Sequence, residues 1–211
     1  MFRWTIASLG ALLMGCSVFG IRSGYEEPDY EVVAELEGGV EVRRYGLRLA
    51  AQTVAAGEDP DEAMDEAFRV LASYIFARNR EGESVAMTVP VEVQDEPERI
   101  DMTVPVETRS ADGAVVMRFF MPGHFTRETL PAPADERVEI VEVPGETLAV
   151  LGFSGRGRAA AVDEREAELL AALAGTQWRP DGAPAALYYD PPWTLPFLRR
   201  NEVVIPVAPL E

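Results

Sequence analysis

His124 is the only histidine of this 211-residue chain, and Cys16 is its only cysteine. A single imidazole in Met121-Pro122-Gly123-His124-Phe125 cannot form a structural zinc site, which takes four nitrogen or sulfur ligands. No serine or cysteine stands beside it in a nucleophile motif. Two roles are left for His124: an axial ligand to haem iron, or a partly exposed loop residue. A lone histidine in a Pro-Gly loop favours the second. Met87 and Met102 carry soft thioethers that could also reach iron, but methionine in a strand more often fills gaps in a core.

Other residue groups could hold a ligand without reacting with it. Gly155-Arg156-Gly157-Arg158 precedes a helical pattern and could offer backbone N–H groups to an anion. It lacks the lysine and the spacing of a phosphate loop. In Tyr188-Tyr189-Asp190-Pro191-Pro192-Trp193, consecutive prolines fix an extended bend, and Trp193 adds a flat apolar face. Arg199 and Arg200 follow closely, and guanidinium groups beside an aromatic wall suit a planar ligand with carboxylates. An ordinary hairpin connection with solvated arginines fits the same residues equally well. The many carboxylates are scattered, so none is singled out as acid or base, and no enzyme is expected.

These groups need a framework to position them. Met-Thr-Val-Pro-Val occurs twice, at Met87–Val91 and Met102–Val106, around a polar turn, which reads as a β-hairpin. Pro90 and Pro105 then belong at strand edges or ends. A larger repeat has an offset of about 98 residues: Val40-Glu41-Val42 against Val138-Glu139-Ile140. In each copy a short strand leads through a glycine turn into an apolar run, Leu47 to Val54 or Thr147 to Phe153. A helical pattern follows, Pro60 to Ala77 or Ala159 to Ala174. Asp59 is placed to cap the first helix and Gly175 to stop the second. Further strands are expected at Val115–Met121, Leu187–Asp190 and Glu202–Val207. The pattern is ββαββ twice, with antiparallel hairpins, hence α+β. The pseudo-repeats are expected at about 30–110 and 137–208.

The formal charge is −17, and all 19 basic residues are arginine. Such a balance opposes nucleic-acid binding, which depends on neutralising phosphates with basic groups. It opposes a polybasic membrane patch as well. Trp4 to Met14 is an apolar run of eleven residues, too short to span a bilayer and suited to a signal peptide. It ends in Leu13-Met14-Gly15-Cys16, which resembles a bacterial lipobox. Residues 1–15 are therefore expected to be a lipoprotein signal peptide and Cys16 the acylated first residue of the mature chain. Residues 16–29 form a tether, and residues 30–208 the folded domain. The expected location is a periplasm-facing membrane, with the outer membrane favoured because Ser17 follows the cysteine.

From about Tyr30 to Val207 the chain resembles the SOUL haem-binding protein family. The resemblance rests on Tyr30-Glu31-Val32-Val33, Val40-Glu41-Val42-Arg43-Arg44-Tyr45, Ala67-Phe68-Arg69-Val70-Leu71 and Tyr74-Ile75-Phe76. To these are added both Met-Thr-Val-Pro-Val copies, Phe119-Phe120-Met121-Pro122, Leu130-Pro131-Ala132-Pro133, Tyr188-Tyr189-Asp190-Pro191-Pro192 and Arg199-Arg200-Asn201-Glu202-Val203. It implies a pseudo-twofold fold, with two helices on a curved antiparallel sheet or distorted barrel. That fold is similar to the ligand-binding module of some multidrug-sensing regulators.

The resemblance further implies non-covalent binding of haem or a related porphyrin, between the first helix and the Asp190–Trp193 loop. Carried over by position, Met64, Phe68, Leu71, Ala72 and Ile75 would line the helix side. Asp190, Pro191, Pro192 and Trp193 would face them, with Arg69, Arg199 and Arg200 for the propionates. Some members have a histidine just before the tyrosine of the first hairpin, where this chain has Arg44, and this chain has no lysine. Hydrophobic burial, not metal ligation, would then dominate. The expected function is a non-enzymatic haem or tetrapyrrole carrier of the cell envelope that buffers or transfers porphyrin. The alternatives are a sensor or scavenger of other amphipathic small molecules, and a structural envelope protein with a closed cleft.

Overall fold

The computed structural model describes residues 26–57, 59–75, 104–111, 114–190 and 193–210. The first hairpin pairs β1 (Tyr30–Leu36) with β2 (Val40–Tyr45). Gly38 and Gly39 make its turn at φ 75° and 76°, a region that side chains disfavour. Then come β3 (Arg48–Ala56), α1 (Pro60–Ile75), β4 (Val106–Ala111) and β5 (Ala114–Phe120). The second half runs β6 (Glu139–Val143), β7 (Glu146–Phe153), α2 (Ala159–Leu173), β8 (Trp178–Pro180), β9 (Ala185–Tyr188) and β10 (Asn201–Pro209). Strand β4 and the short β8 are additions to the sequence expectation. The first Met-Thr-Val-Pro-Val copy lies outside the described residues, as do Met102 and Thr103 of the second. Val106 of the second copy opens β4, whose hairpin partner is β5.

All pairings are antiparallel, in the order β1-β2-β7-β10-β9-β4-β5-β3-β6, with β8 also on β10. Exchanging β2 with β6, β3 with β7, β4 with β9 and β5 with β10 reverses this order from β2 to β6 and leaves it unchanged. The sheet thus has a pseudo-twofold axis between β4 and β9, as the repeat in the sequence requires. Arg48, first residue of β3, and Glu146, first residue of β7, are 98 positions apart and form an ion pair of 2.5 Å.

Both helices cover one face of the sheet. Asp59 accepts the Asp61 N–H at 2.9 Å and caps α1, with Pro60 in the first turn. Ala63, Ala67, Val70, Leu71, Tyr74 and Ile75 form the buried stripe of α1. They pack on Ala51, Ala55, Val115, Met117 and Phe119. Leu169 and Leu173 of α2 pack on Val40, Val42, Ala149, Val203 and Ile205. Gly175, at φ 77°, lies just past the end of α2, where an L-residue would be strained.

The opposite face is the inside of a curl. Arg48 lies 4.6 Å from the Tyr45 ring and 4.7 Å from the Phe120 ring, although five strand steps separate β2 from β5. Only a strongly coiled sheet brings them together. Charges are buried here beside the apolar residues. Glu202, 2% exposed, accepts from Arg43 at 3.0 Å, Arg200 at 2.9 Å and the Tyr189 hydroxyl at 2.6 Å. Arg43 also holds Glu41, and Arg200 holds Glu27. Glu107, also 2% exposed, is held by Arg109 and Arg118. Breaking such a buried pair from one side costs about 3–5 kcal/mol.

Two outcomes follow from this packing. Leu71→Ala should lower unfolding free energy by about 2–5 kcal/mol in urea titration, because Leu71 sits wholly inside the α1 core. Burial, followed by the neighbouring Glu202 charge, raises the Tyr189 hydroxyl above its ordinary pKa, and burial also raises Tyr45 and Tyr188. The folded state therefore keeps these protons while the unfolded chain loses them above about pH 10. Stability should fall as pH climbs past that value, and Tyr189→Phe should make the fall shallower. Urea midpoints measured from pH 8 to 11 check this; an unchanged slope would contradict the assignment.

Candidate functional site

Helix α1 divides the expected contact residues into two sets. Leu71 and Ile75 are 0% and 3% exposed, so their side chains are used by the core and do not line a slot. Met64, Phe68 and Ala72 are half-buried at i, i+4 and i+8, which sets them on one edge of the helix. Phe68 is steadied by Phe119, with ring centroids 5.6 Å apart. Arg69 is exposed beside them and pairs with Glu66 at 2.7 Å; Glu66 also pairs with Arg137 at 3.0 Å. Arg137 in turn holds Asp135, whose carboxyl is lowered to about 2 by hydrogen bonds from Arg137. Arg69 thus stands beside the apolar strip, whereas Arg137 reaches α1 through Glu66, on the other edge of the buried stripe.

The other side of the expected cleft is put to different use. The Asp190 carboxylate accepts the Arg200 N–H at 2.7 Å. The Arg200 guanidinium stacks on Tyr189 at 3.8 Å and is committed to Glu202 and Glu27. Arg199 donates to the Thr194 carbonyl at 2.8 Å. Both arginines brace the protein's own chain. Pro191 and Pro192 lie outside the described residues, and Trp193 is 56% exposed.

Near Met64 a cleft of about 160 Å³ opens between the two helices, lined also by Pro60, Asp61, Val162 and Tyr188, but not by Trp193. Small-molecule pockets usually measure roughly 300–1,000 Å³, so this cleft cannot enclose a porphyrin. A larger cavity of about 690 Å³ lies at another place, below the Met121–Glu128 loop. Leu49, Phe120 and Phe125 line it, and the carboxylates of Glu26, Glu27, Asp29, Glu128 and Glu142 outnumber the guanidinium groups of Arg48 and Arg127, so its charge is negative on balance. A dianionic porphyrin would be repelled there. Of these two spaces, the one beside α1 is too small to enclose a macrocycle, and the larger one has no lining residue from α1.

The remaining candidates read simply. His124 is an exposed loop residue whose ring lies 4.2 Å from that of Phe125. No cluster of three or more metal-ligating side chains occurs among the described residues. Gly157, at φ 59°, is needed for close packing: a Cβ there would stand 2.5 Å from the Tyr188 ring. Its carbonyl accepts the Tyr188 hydroxyl at 3.0 Å. Cys16 and the rest of residues 1–25 lie outside the described residues, and no described helix is long and apolar enough to cross a membrane.

Comparison with known proteins agrees with this architecture. Among solved structures, the C-terminal domain of EcmrR superposes with a TM-score of 0.57 at 10% identity, over 86% of this chain and 99% of that one. A hydrolase from Listeria innocua superposes with a TM-score of 0.50 at 14% identity, over 83% of this chain and 94% of that one. Those likenesses concern the fold alone. In sequence, heme-binding protein 1 of Bos taurus is 31% identical over 156 residues, 72% of this chain and 74% of the bovine protein. The Mus musculus protein of the same name is 33% identical over 160 residues, 72% of this chain and 75% of the mouse protein. The model of the SOUL heme-binding protein family matches residues 25–206, and the chain belongs to that family.

Proposed function

We propose that this chain is a non-enzymatic tetrapyrrole-binding lipoprotein of the cell envelope, anchored through Cys16, that buffers or hands on haem. Its contact surface is the edge of α1 formed by Met64, Phe68 and Ala72, with Arg69 on the same helix to meet a propionate. The observation that carries this reading is that edge. A helix that buries six residues on the sheet still leaves a methionine and a phenylalanine only partly buried, in line along one edge. An open surface covers one face of a planar ring, so the apolar gain is about half that of full enclosure. Release is correspondingly easy, which suits transfer better than storage. Bound there, the porphyrin would supply the chromophore and the iron; the chain supplies the surface and the charge balance.

Haem titration of the full chain, followed at the Soret band, tests this directly. Phe68→Ala should weaken binding roughly tenfold, the loss of about 1.4 kcal/mol of aromatic contact. His124→Ala should leave the titration unchanged. Abolition of the Soret shift by His124→Ala, or its absence from the wild type in excess haem, would overturn the reading.

The cavity of about 690 Å³ favours a second reading. Aromatic walls under a carboxylate rim suit an amphipathic organic cation, and such a ligand would belong to a scavenger or sensor. Dye cations that bind without displacing haem would support it.

A further inference from the structure

The loop from Trp193 to Leu198 has its polarity reversed. Thr194 is 1% exposed, while Trp193, Leu195 and Phe197 are 56%, 37% and 70% exposed. Collapse is not an option for these apolar groups, because the loop backbone is pinned. Leu198 N–H reaches the Leu195 carbonyl at 2.9 Å, Gly155 N–H reaches the Pro196 carbonyl at 3.0 Å, and Arg199 reaches the Thr194 carbonyl. An aromatic-rich tip held rigidly outward marks a contact surface, not a stray exposed side chain.

Where the chain enters the fold identifies the partner. Tyr188 pairs with Asn201 and with Val106, and Val106 with Phe119, so the loop projects from the sheet end where β4 begins and β5 finishes. Glu26 and Glu27 are fastened to that same end. The Glu26 carbonyl accepts Val104 N–H at 3.0 Å, its carboxylate accepts Gly123 N–H at 2.6 Å, and Glu27 pairs with Arg200 at 3.1 Å. Ten residue steps lead from Cys16 to Glu26, a reach of at most roughly 35 Å. A domain of this size is about 40 Å across. An acylated Cys16 therefore holds this end, and not the opposite one, against the lipid.

We propose that the Trp193–Leu198 loop inserts into the interface of the bilayer that anchors Cys16, setting the orientation of the domain on the membrane. Tryptophan and phenylalanine at headgroup depth match the known preference of aromatic residues for that layer. The formal charge of −17 disfavours anionic lipid, so the surface expected is zwitterionic. This inference rests on the lipid-anchor part of the proposed function and is independent of haem.

The test uses the mature acylated chain, which begins at Cys16, in phosphatidylcholine vesicles with brominated acyl chains, which quench tryptophan at short range. Wild type should show a blue-shifted, quenchable emission component that disappears in Trp193→Phe. Phe197→Asp, at an exposed position, should leave the urea midpoint unchanged and remove the quenching. The mature chain with Cys16→Ser, lacking residues 1–15, should still sediment with these vesicles, several-fold more than the same chain with Phe197→Asp added. Emission from Trp193 that brominated lipid does not quench would overturn the proposal. Quenching by added haem in its place would return Trp193 to a ligand wall and equally overturn it. Haem titration of the same samples fails or succeeds separately, so the two readings cannot be confused.

Discussion

Inside the curl Glu202 has exchanged water for Arg43, Arg200 and the Tyr189 hydroxyl, and most of the architecture is arranged around that exchange. Its partners come from β2, from the segment just before β10, and from the residue just after β9. A carboxylate 2% exposed has no cheap alternative to them, since leaving it unpaired would cost several kcal/mol. The curl must therefore bring β2 within reach of β10, although β7 lies between them in the sheet. The aromatic clamp of Tyr45 and Phe120 on Arg48 applies the same constraint at the other side of the mouth. Through Arg200 the network also captures Glu27, so the segment that leads into β1 is held by the same buried charge.

The parts legible in the sequence were those written in local periodicity. The spacing of Met64, Phe68, Leu71 and Ile75 sets α1, Asp59-Pro60 sets its start, and Gly175 sets the end of α2. The 98-residue offset carries through to a strand order that reads the same from either end. What stayed hidden was each residue's second neighbour. Leu71 and Phe68 are three positions apart on one apolar stripe, and periodicity alone cannot say which edge of the stripe faces the sheet. Arg199 and Arg200 look like a solvated basic pair, yet Arg200 is spent on a carboxylate two residues later in the strand and on another 173 residues earlier. Glu107 and Glu202 gave no sign of burial, because in an alternating strand a glutamate normally marks the wet face.

The pseudo-twofold axis relates the two helices but not their chemistry. Helix α1 buries six side chains and keeps Met64 and Phe68 at its edge, whereas α2 buries Leu169 and Leu173 and leaves Leu170 exposed. Both Arg48 and Glu146 begin the strand that precedes a helix, but one copy became cationic and the other anionic, so the axis itself is joined by an ion pair. A duplicated fold with identical halves could not make that contact, since like charges would meet across the axis.

An acidic domain near a membrane needs its apolar contacts in a few fixed places. With a formal charge of −17 the bulk of the surface is repelled by anionic headgroups, and orientation is left to whatever uncharged groups project furthest. Among the described residues, the tip from Trp193 to Phe197 has three apolar side chains turned outward and one threonine turned inward. The α1 edge belongs to the helix-covered face and the buried charges to the inner face, so one end of the sheet can rest on lipid without occluding either.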